Sequence, residues 1–301
     1  MRPTKYHIMT LLLLAQFLAC IPLFAQVKVQ VVSQEISKSI DWQPGMSLWI
    51  NAEHAEIHCT SHKANTVVMN LTITSKHEVK STAESDIKKM KWLNETKGSK
   101  IFIRNYIELA KNETQPESAI KFIYHIQVPE NCPVNIQNYF GKIMATNLHS
   151  TLQINSEFSM IDLKDVSGGK KLTTLYGNIT ASSIKGETTI ESNRSDIDLV
   201  GFEGKLKINA TLAQIRLSEM KPLSNIDLVA EKSEVYIKVH DLNRFAWQIE
   251  YFNCEVNIPE NMKPEYSWNK KKEIKAVFNP GNNDPLININ LNTGSLNIEQ
   301  P

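Results

Sequence analysis

The chain is short of the residue patterns that announce an activity. It has four cysteines in 301 residues. Cys59, Cys132 and Cys254 lie beyond an N-terminal apolar run; their number is odd and no two are close, which excludes a disulfide framework. A dominant sign of charge is also missing. With 33 Lys and Arg against 32 Asp and Glu, the net charge is +1, which implies neither nucleic acid nor an anionic membrane surface as a partner. No catalytic motif rises above background, so what can be read first is architecture.

What is present is a repeat. The phrases IQNYFGKI, INSEFSMI, LTTLYGNI, IESNRSDI, INATLAQI, LVAEKSEV and IEYFNCEV follow one another between Ile136 and Ile258. Their small residue falls at Gly141, Ser159, Gly177, Ser195, Ala213, Ser233 and Cys254, at four intervals of 18 residues, then 20, then 21. A fixed period of this length marks a solenoid. Each phrase carries an aliphatic residue five before the small one and another two after it, with further inward candidates at plus four and, in the first five, at plus seven. Plus two and plus four share a strand face, because side chains alternate with period two. The unit therefore reads as two short strands joined at a tight corner where a small residue fits.

About four buried aliphatics at ~1.5 to 3 kcal/mol each cannot offset ~1 to 2 kcal/mol of backbone entropy per residue, so a lone unit cannot fold. Stacked ~4.8 Å apart, the units give interior aliphatic ladders and parallel sheets along the length. The expected fold is all-β, a parallel β-helix or β-solenoid of about 18 to 21 residues per coil. Inward offsets of minus five, plus two, plus four and plus seven do not suit a hexapeptide left-handed helix, so a right-handed coil is expected.

Arg2 and Lys5 precede an apolar run from Ile8 to Phe24, and Ala25 precedes Gln26. This reads as a secretory signal peptide over 1–25. Two other readings stay open: an uncleaved anchor, or a lipoprotein signal with Cys20 as the lipidated residue. Residues 26–133 are expected to hold strands, a helix and a β-hairpin joined to the solenoid, and 134–301 the regular solenoid with a C-terminal capping coil.

Within the N-terminal part, residues 27–32 and 67–73 alternate as strands, and LWINAEHAEIHC, residues 48–59, reproduces the coil phrase with Ile50, Ala55 and Ile57 in register. From Ser81 to Thr96 the period changes. Ala83, Ile87, Met90 and Leu93 share a face, with Ser81, Thr82 and Ser85 available as caps, so a helix is expected. Residues 100–108 and 119–128 alternate and read as an antiparallel hairpin around a mobile polar loop, 111–118. Pro129 and Pro133 mark where the regular repeats begin. Residues 259–285 break the rhythm, and LININLNTGSLNI restores it as a terminal coil that blocks edge pairing.

The leader, the degenerate first coils, the inserted helix and strands, the run IYHIQVPENCPVNIQNYFGKI and the NTGSLNIEQ finish together resemble the putative-adhesin domain family of bacterial envelope proteins. The resemblance covers nearly the whole chain beyond the leader and implies a β-helix-like fold. It transfers no catalytic residue. Ser, Ala or Cys stands here at several corners where the family pattern has Gly.

Three groups of side chains invite chemistry. His54, His58, Cys59 and His62 have metal-like spacing, but on a strand His58 points out and Cys59 in, so they do not converge as tetrahedral zinc requires. Cys59 and Cys254 read as compact core residues. Asp162 and Asp198 share the plus-three position two coils apart, roughly 9.6 Å at a ~4.8 Å rise, with Asp196 nearby and Arg216 one coil further. They read as an exposed ionic ladder, with a carboxylate pair or calcium site as the alternative.

Phe140, Phe158 and Tyr176 precede the small residue in three successive coils and should stack at the corner. Either the N-terminal helix or hairpin covers them, or they form an exposed strip for a sugar or a partner. The reading that results is an exported, non-catalytic envelope protein, adhesin-like or scaffolding, with no cofactor and no metal site. Its partners would be a glycan or another envelope protein, and it is expected to be a monomer in the periplasm, on the outer-membrane surface or secreted. Membrane attachment would come only through Cys20 or an uncleaved leader. The alternatives are a carbohydrate-active β-helix lyase or hydrolase and a periplasmic signalling partner.

Overall fold

The structure, a computed structural model, describes residues 28–263, 266–270, 273–278 and 285–301. The leader and Cys20 lie outside the described residues. No helix among the described residues is long and apolar enough to cross a membrane.

The fold is all-β and solenoid-like. Its regular part runs through β8 (Val134–Thr146), β9 (Leu152–Lys164), β10 (Lys170–Leu175), β11 (Ile179–Lys185), β12 (Thr188–Asn193), β13 (Ile197–Glu203), β14 (Lys205–Thr211), β15 (Gln214–Ser218) and β16 (Asn225–Lys238). Each rung contributes to two parallel ladders. In the first, Ile136 pairs with Ile154, then Leu172, Ile190, Ile208 and Leu228. In the second, Ile143 is followed by Ile161, Ile179, Ile197, Ile215 and Val235. All twelve of these side chains are buried, so the inward register read from the repeat is the register of the core.

Two ladders at the corners carry the turns. The residue before each small one lies in the left-handed region, as at Phe140 (φ 57°), Phe158 (φ 51°), Tyr176 (φ 54°) and Arg194 (φ 52°). The second corner lies six residues after the small one, at Asn147, Asp165, Ser183, Gly201 and Glu219, again with positive φ. The small residue answers to a different constraint. A Cβ on Gly141 would lie 1.9 Å from the carbonyl oxygen of Ala55, and one on Gly177 2.0 Å from that of Ser159. Where serine stands instead, its hydroxyl is used: Ser195 Oγ accepts from the Gly177 N–H at 2.9 Å, and Ser233 Oγ from the Ala213 N–H at 3.1 Å.

The ends depart from sequence order. β2 (Ser47–Glu53) and β3 (Ala55–His62) form a rung in the expected register, Ile50 with Ile136 and Ile57 with Ile143. Beyond it lie β6 (Lys100–Ile107), parallel to β2, and β7 (Ala119–Pro129), parallel to β3. The expected hairpin of these two strands is therefore not formed, because they belong to different ladders of one outer rung. β5 (Met90–Lys97) closes the first ladder against β6, β4 (Thr66–His77) closes the second against β7, and β1 (Gln30–Asp41) pairs outside β4; all three contacts are antiparallel.

The same device recurs at the far end. β20 (Leu286–Glu299) pairs in parallel with β16 on one side and with β17 (Ala246–Asn257) on the other. The last segment is thus not a terminal coil; it is tucked in as the penultimate rung. The end of the first ladder is closed by the antiparallel strands β19 (Glu273–Phe278) and β18 (Tyr266–Lys270).

The helix is shorter than its pattern. α1 spans Lys80–Lys89 and starts at Val79 with no side-chain cap, so Ser81, Thr82 and Ser85 do not cap it. Ala83, Ile87 and Met90 are buried, but Leu93 belongs to β5 and is exposed. Asp86 fixes the following polar segment by accepting from the N–H groups of Glu117 and Ser118 and from Ser118 Oγ, and Lys89 Nζ donates to it at 3.0 Å. Burial works against its charge, yet the Ser118 and Lys89 hydrogen bonds hold the Asp86 carboxyl below the usual carboxylate range. The 111–118 segment is tied to the helix at these points.

Candidate functional site

The left-handed corner recurs on each rung from β2–β3 to β17, and the sequence decides what stands there. Glycine would be least strained. Instead, the successive occupants are His54, Phe140, Phe158, Tyr176, Arg194, Leu212, Lys232, Thr293 and Asn253. From His54 to Arg194 these side chains lie over one another at about the rung spacing.

The His54 and Phe140 rings stack at 5.2 Å, Phe140 and Phe158 at 5.0 Å, and Phe158 and Tyr176 at 5.0 Å, with interplanar angles of 11°, 8° and 5°. The Arg194 guanidinium continues the stack 5.4 Å from the centre of the Tyr176 ring and donates to its hydroxyl. The result is one column of four rings closed by a cation.

The column is uncovered. Phe140, Phe158 and Tyr176 keep 44, 46 and 42% of their surface exposed, so the N-terminal helix and strands do not bury them as a satellite core. Beside Phe140 runs an open groove that includes Ala119, Ile120, Met160, Lys121 and Lys142. Stacked aromatic pairs contribute ~0.5 to 1.5 kcal/mol each beyond their area, which helps offset the cost of left-handed backbone at bulky residues. Geometrically, the column presents a flat, rigid, amphipathic surface with the phenol of Tyr176 and the imidazole of His54 as its polar groups.

Sequence reasoning found the three central members and missed the two ends. His54 shares the metal-like spacing of His58, Cys59 and His62, yet HAEI at 54–57 places it at the corner position. Arg194 read only as evidence that the position is accessible.

The other constellations do not assemble a reaction centre. His58 points outward, 2.7 Å from Glu56 Oε1 and stacked on His125 at 4.5 Å, while the His62 ring meets the Thr66 carbonyl at 2.6 Å. Cys59 is buried, and that burial, reinforced by Cys132, pushes its thiol up to about 12. Among the described residues no group of three or more His, Cys, Asp or Glu could hold a metal ion. Asp162 and Asp198 lie one on each side of Thr180, and Asp198 faces Arg216. Lys142 Nζ lies 3.6 Å from Asp162, whereas the Arg216 guanidinium donates to Gln214 Oε1, so among the described residues the expected ladder amounts to one surface ion pair.

Fold and site together define an all-β, solenoid-like protein that presents a column of exposed rings. The chain belongs to the Toastrack DUF4097 family, which matches residues 26–299. It is similar to the solved structure of a "putative cell adhesion protein" from Clostridium sporogenes, at 12% identity and TM-score 0.28 over 90% of this chain and 100% of that one. It is also similar to two proteins of Parabacteroides distasonis, each 11% identical over 90% of this chain and 97% of that one. They are a "putative lipid binding protein" at TM-score 0.34 and a "putative adhesin" at 0.32. No curated protein matches the chain.

Proposed function

We propose that this is an exported, non-catalytic binding module of the cell envelope, which engages a glycan or a partner protein through the ring column. The observation that supports this reading is the exposure of Phe140, Phe158 and Tyr176 in one rigid stack. Contiguous exposed apolar surface rimmed by polar groups marks interaction sites. Rigid rings also lose little side-chain entropy on binding. As architecture, the module is a right-handed parallel β-helix whose rungs hold the rings in register.

Phe158→Ala combined with Tyr176→Ala tests the reading. The double variant should keep its circular dichroism and lose binding to intact bacterial cells or immobilised glycans. Retained binding, or a lyase or hydrolase activity that Asp162→Ala abolishes, overturns it.

A further inference from the structure

A second surface lies on the outward face of the first ladder, where side chains alternate with the buried aliphatics. Along this face the outward positions mix Thr and Asn with scattered charges, as where Lys171 Nζ lies 3.3 Å from Glu191. At its N-terminal end two aromatic rings stand beside a run of carboxamides. There Trp49 and Phe102 stand side by side, ring centres 6.3 Å apart, and are followed on β8 and β9 by Asn135, Gln137, Gln153 and Asn155. These residues line one cleft of about 170 Å³. The cleft shares Gln137 and Asn155 with a longer groove that continues past Thr173 and Glu191 to Asn209.

We infer that this cleft is a binding site for a neutral carbohydrate chain. A carboxamide offers two donors and an acceptor in one plane without charge, which matches the vicinal hydroxyls of a sugar. The side chains of Asn135, Gln153 and Asn155 make no hydrogen bond to the protein among the described residues, so their capacity is free for a ligand; Gln137 spends one donor on the Tyr139 hydroxyl at 3.3 Å. Trp49 is held in place by its indole N–H to Ser47 Oγ at 2.9 Å and by Lys100 Nζ, 4.3 Å from its ring centre. Trp49 and Phe102 then supply the apolar faces on which pyranose C–H groups pack.

The charges around the cleft are engaged or balanced, which favours a neutral ligand over an acidic one. Lys100 lies over Trp49 and Arg104 over Tyr106, Lys171, the register partner of Gln153, lies 3.3 Å from Glu191, and Glu157 and Glu191 line the continuing groove. From the Trp49 rung to the Asn209 rung is five steps, or roughly 24 Å at ~4.8 Å each. That length suits an extended oligosaccharide better than a single sugar.

The site is distinct from the ring column, so the two readings can fail separately. The purified protein would be titrated by calorimetry with cello-, malto- and mannohexaose, and with polygalacturonate as the acidic control, to millimolar concentration. At least one neutral hexasaccharide should bind saturably. Gln153→Ala with Asn155→Ala should weaken that binding by about tenfold or more at unchanged circular dichroism, while Phe158→Ala with Tyr176→Ala leaves it intact. The inference is overturned if no neutral hexasaccharide binds, if polygalacturonate binds better, or if the amide variant binds as the wild type does. Loss of binding only in the Phe158 and Tyr176 variant would sink this cleft and leave the column reading standing.

Discussion

At position 170 the inward register that holds Leu152 on one rung and Thr188 on another holds a lysine. Lys170 is buried, and its ammonium donates only to the carbonyls of Gly168 and Lys185. Burial alone lowers it to about 8 from the ordinary 10.5. The folded pKa is therefore depressed, and the unfolded chain binds more protons between about 8 and 10.5. Stability is penalised in full below about pH 8 and recovers as pH rises through that window, a cost on the order of 3 kcal/mol. Lys170→Met should consequently be more stable than wild type in urea at pH 7, and the difference should shrink steadily above pH 8. A difference that is constant with pH, or a less stable variant, would contradict the assignment. At this scale the repeat reveals which positions face inward at minus five, plus two, plus four and plus seven. It does not reveal the further inward tier that includes Lys170, nor the left-handed corner, because residues as unlike as Phe, Arg and Leu occupy it.

Elements were legible where one periodicity ran unbroken. β8 to β16, the first rung and β4 follow directly from alternation of buried and exposed positions. The helical spacing overruns the helix because Met90 and Leu93 continue it into β5, where the backbone is already extended. Rung order was legible only within the evenly spaced run from β8 to β16; at the ends, interchangeable phrases carry no information about which neighbour each will pair with. That is why LININLNTGSLNI reads as a cap although β20 lies between β16 and β17. The tuck has a direct test in a Cys254→Ser background. Val229 and Asn290 are register partners in adjacent rungs, and Asn290 pairs in turn with Glu250. Val229→Cys with Asn290→Cys should form a disulfide on mild oxidation, since a ~4.8 Å separation is within bonding range. Val229→Cys with Glu250→Cys, two rungs apart at roughly 9.6 Å, should not. The opposite outcome would restore the sequential order.

For the whole molecule, the two tucked rungs have a shared consequence. Both ends of the repeat array are held between strands that are distant in sequence, so the stack cannot fray rung by rung from the first or last coil. A rigid stack is what lets exposed side chains at the corner act as one surface, since each ring inherits its position from the backbone ladder beneath it. The family membership supports the fold and brings no activity with it; the candidate site was legible because a solenoid turns equal offsets in sequence into neighbours in space. Phe140, Phe158 and Tyr176 could be placed together before any coordinates, whereas the amide cleft could not, because Trp49 and Phe102 come from rungs whose order the sequence hides.

The ring column as the binding surface is tested most directly by an alanine scan down the corner ladder, with binding to intact cells and melting temperature measured on each variant. The account predicts loss of binding at His54, Phe140, Phe158 and Tyr176, with wild-type binding at Lys232 and melting temperatures within a few degrees throughout. Binding that is indifferent to position along the ladder, or that falls only in step with melting temperature, would contradict it.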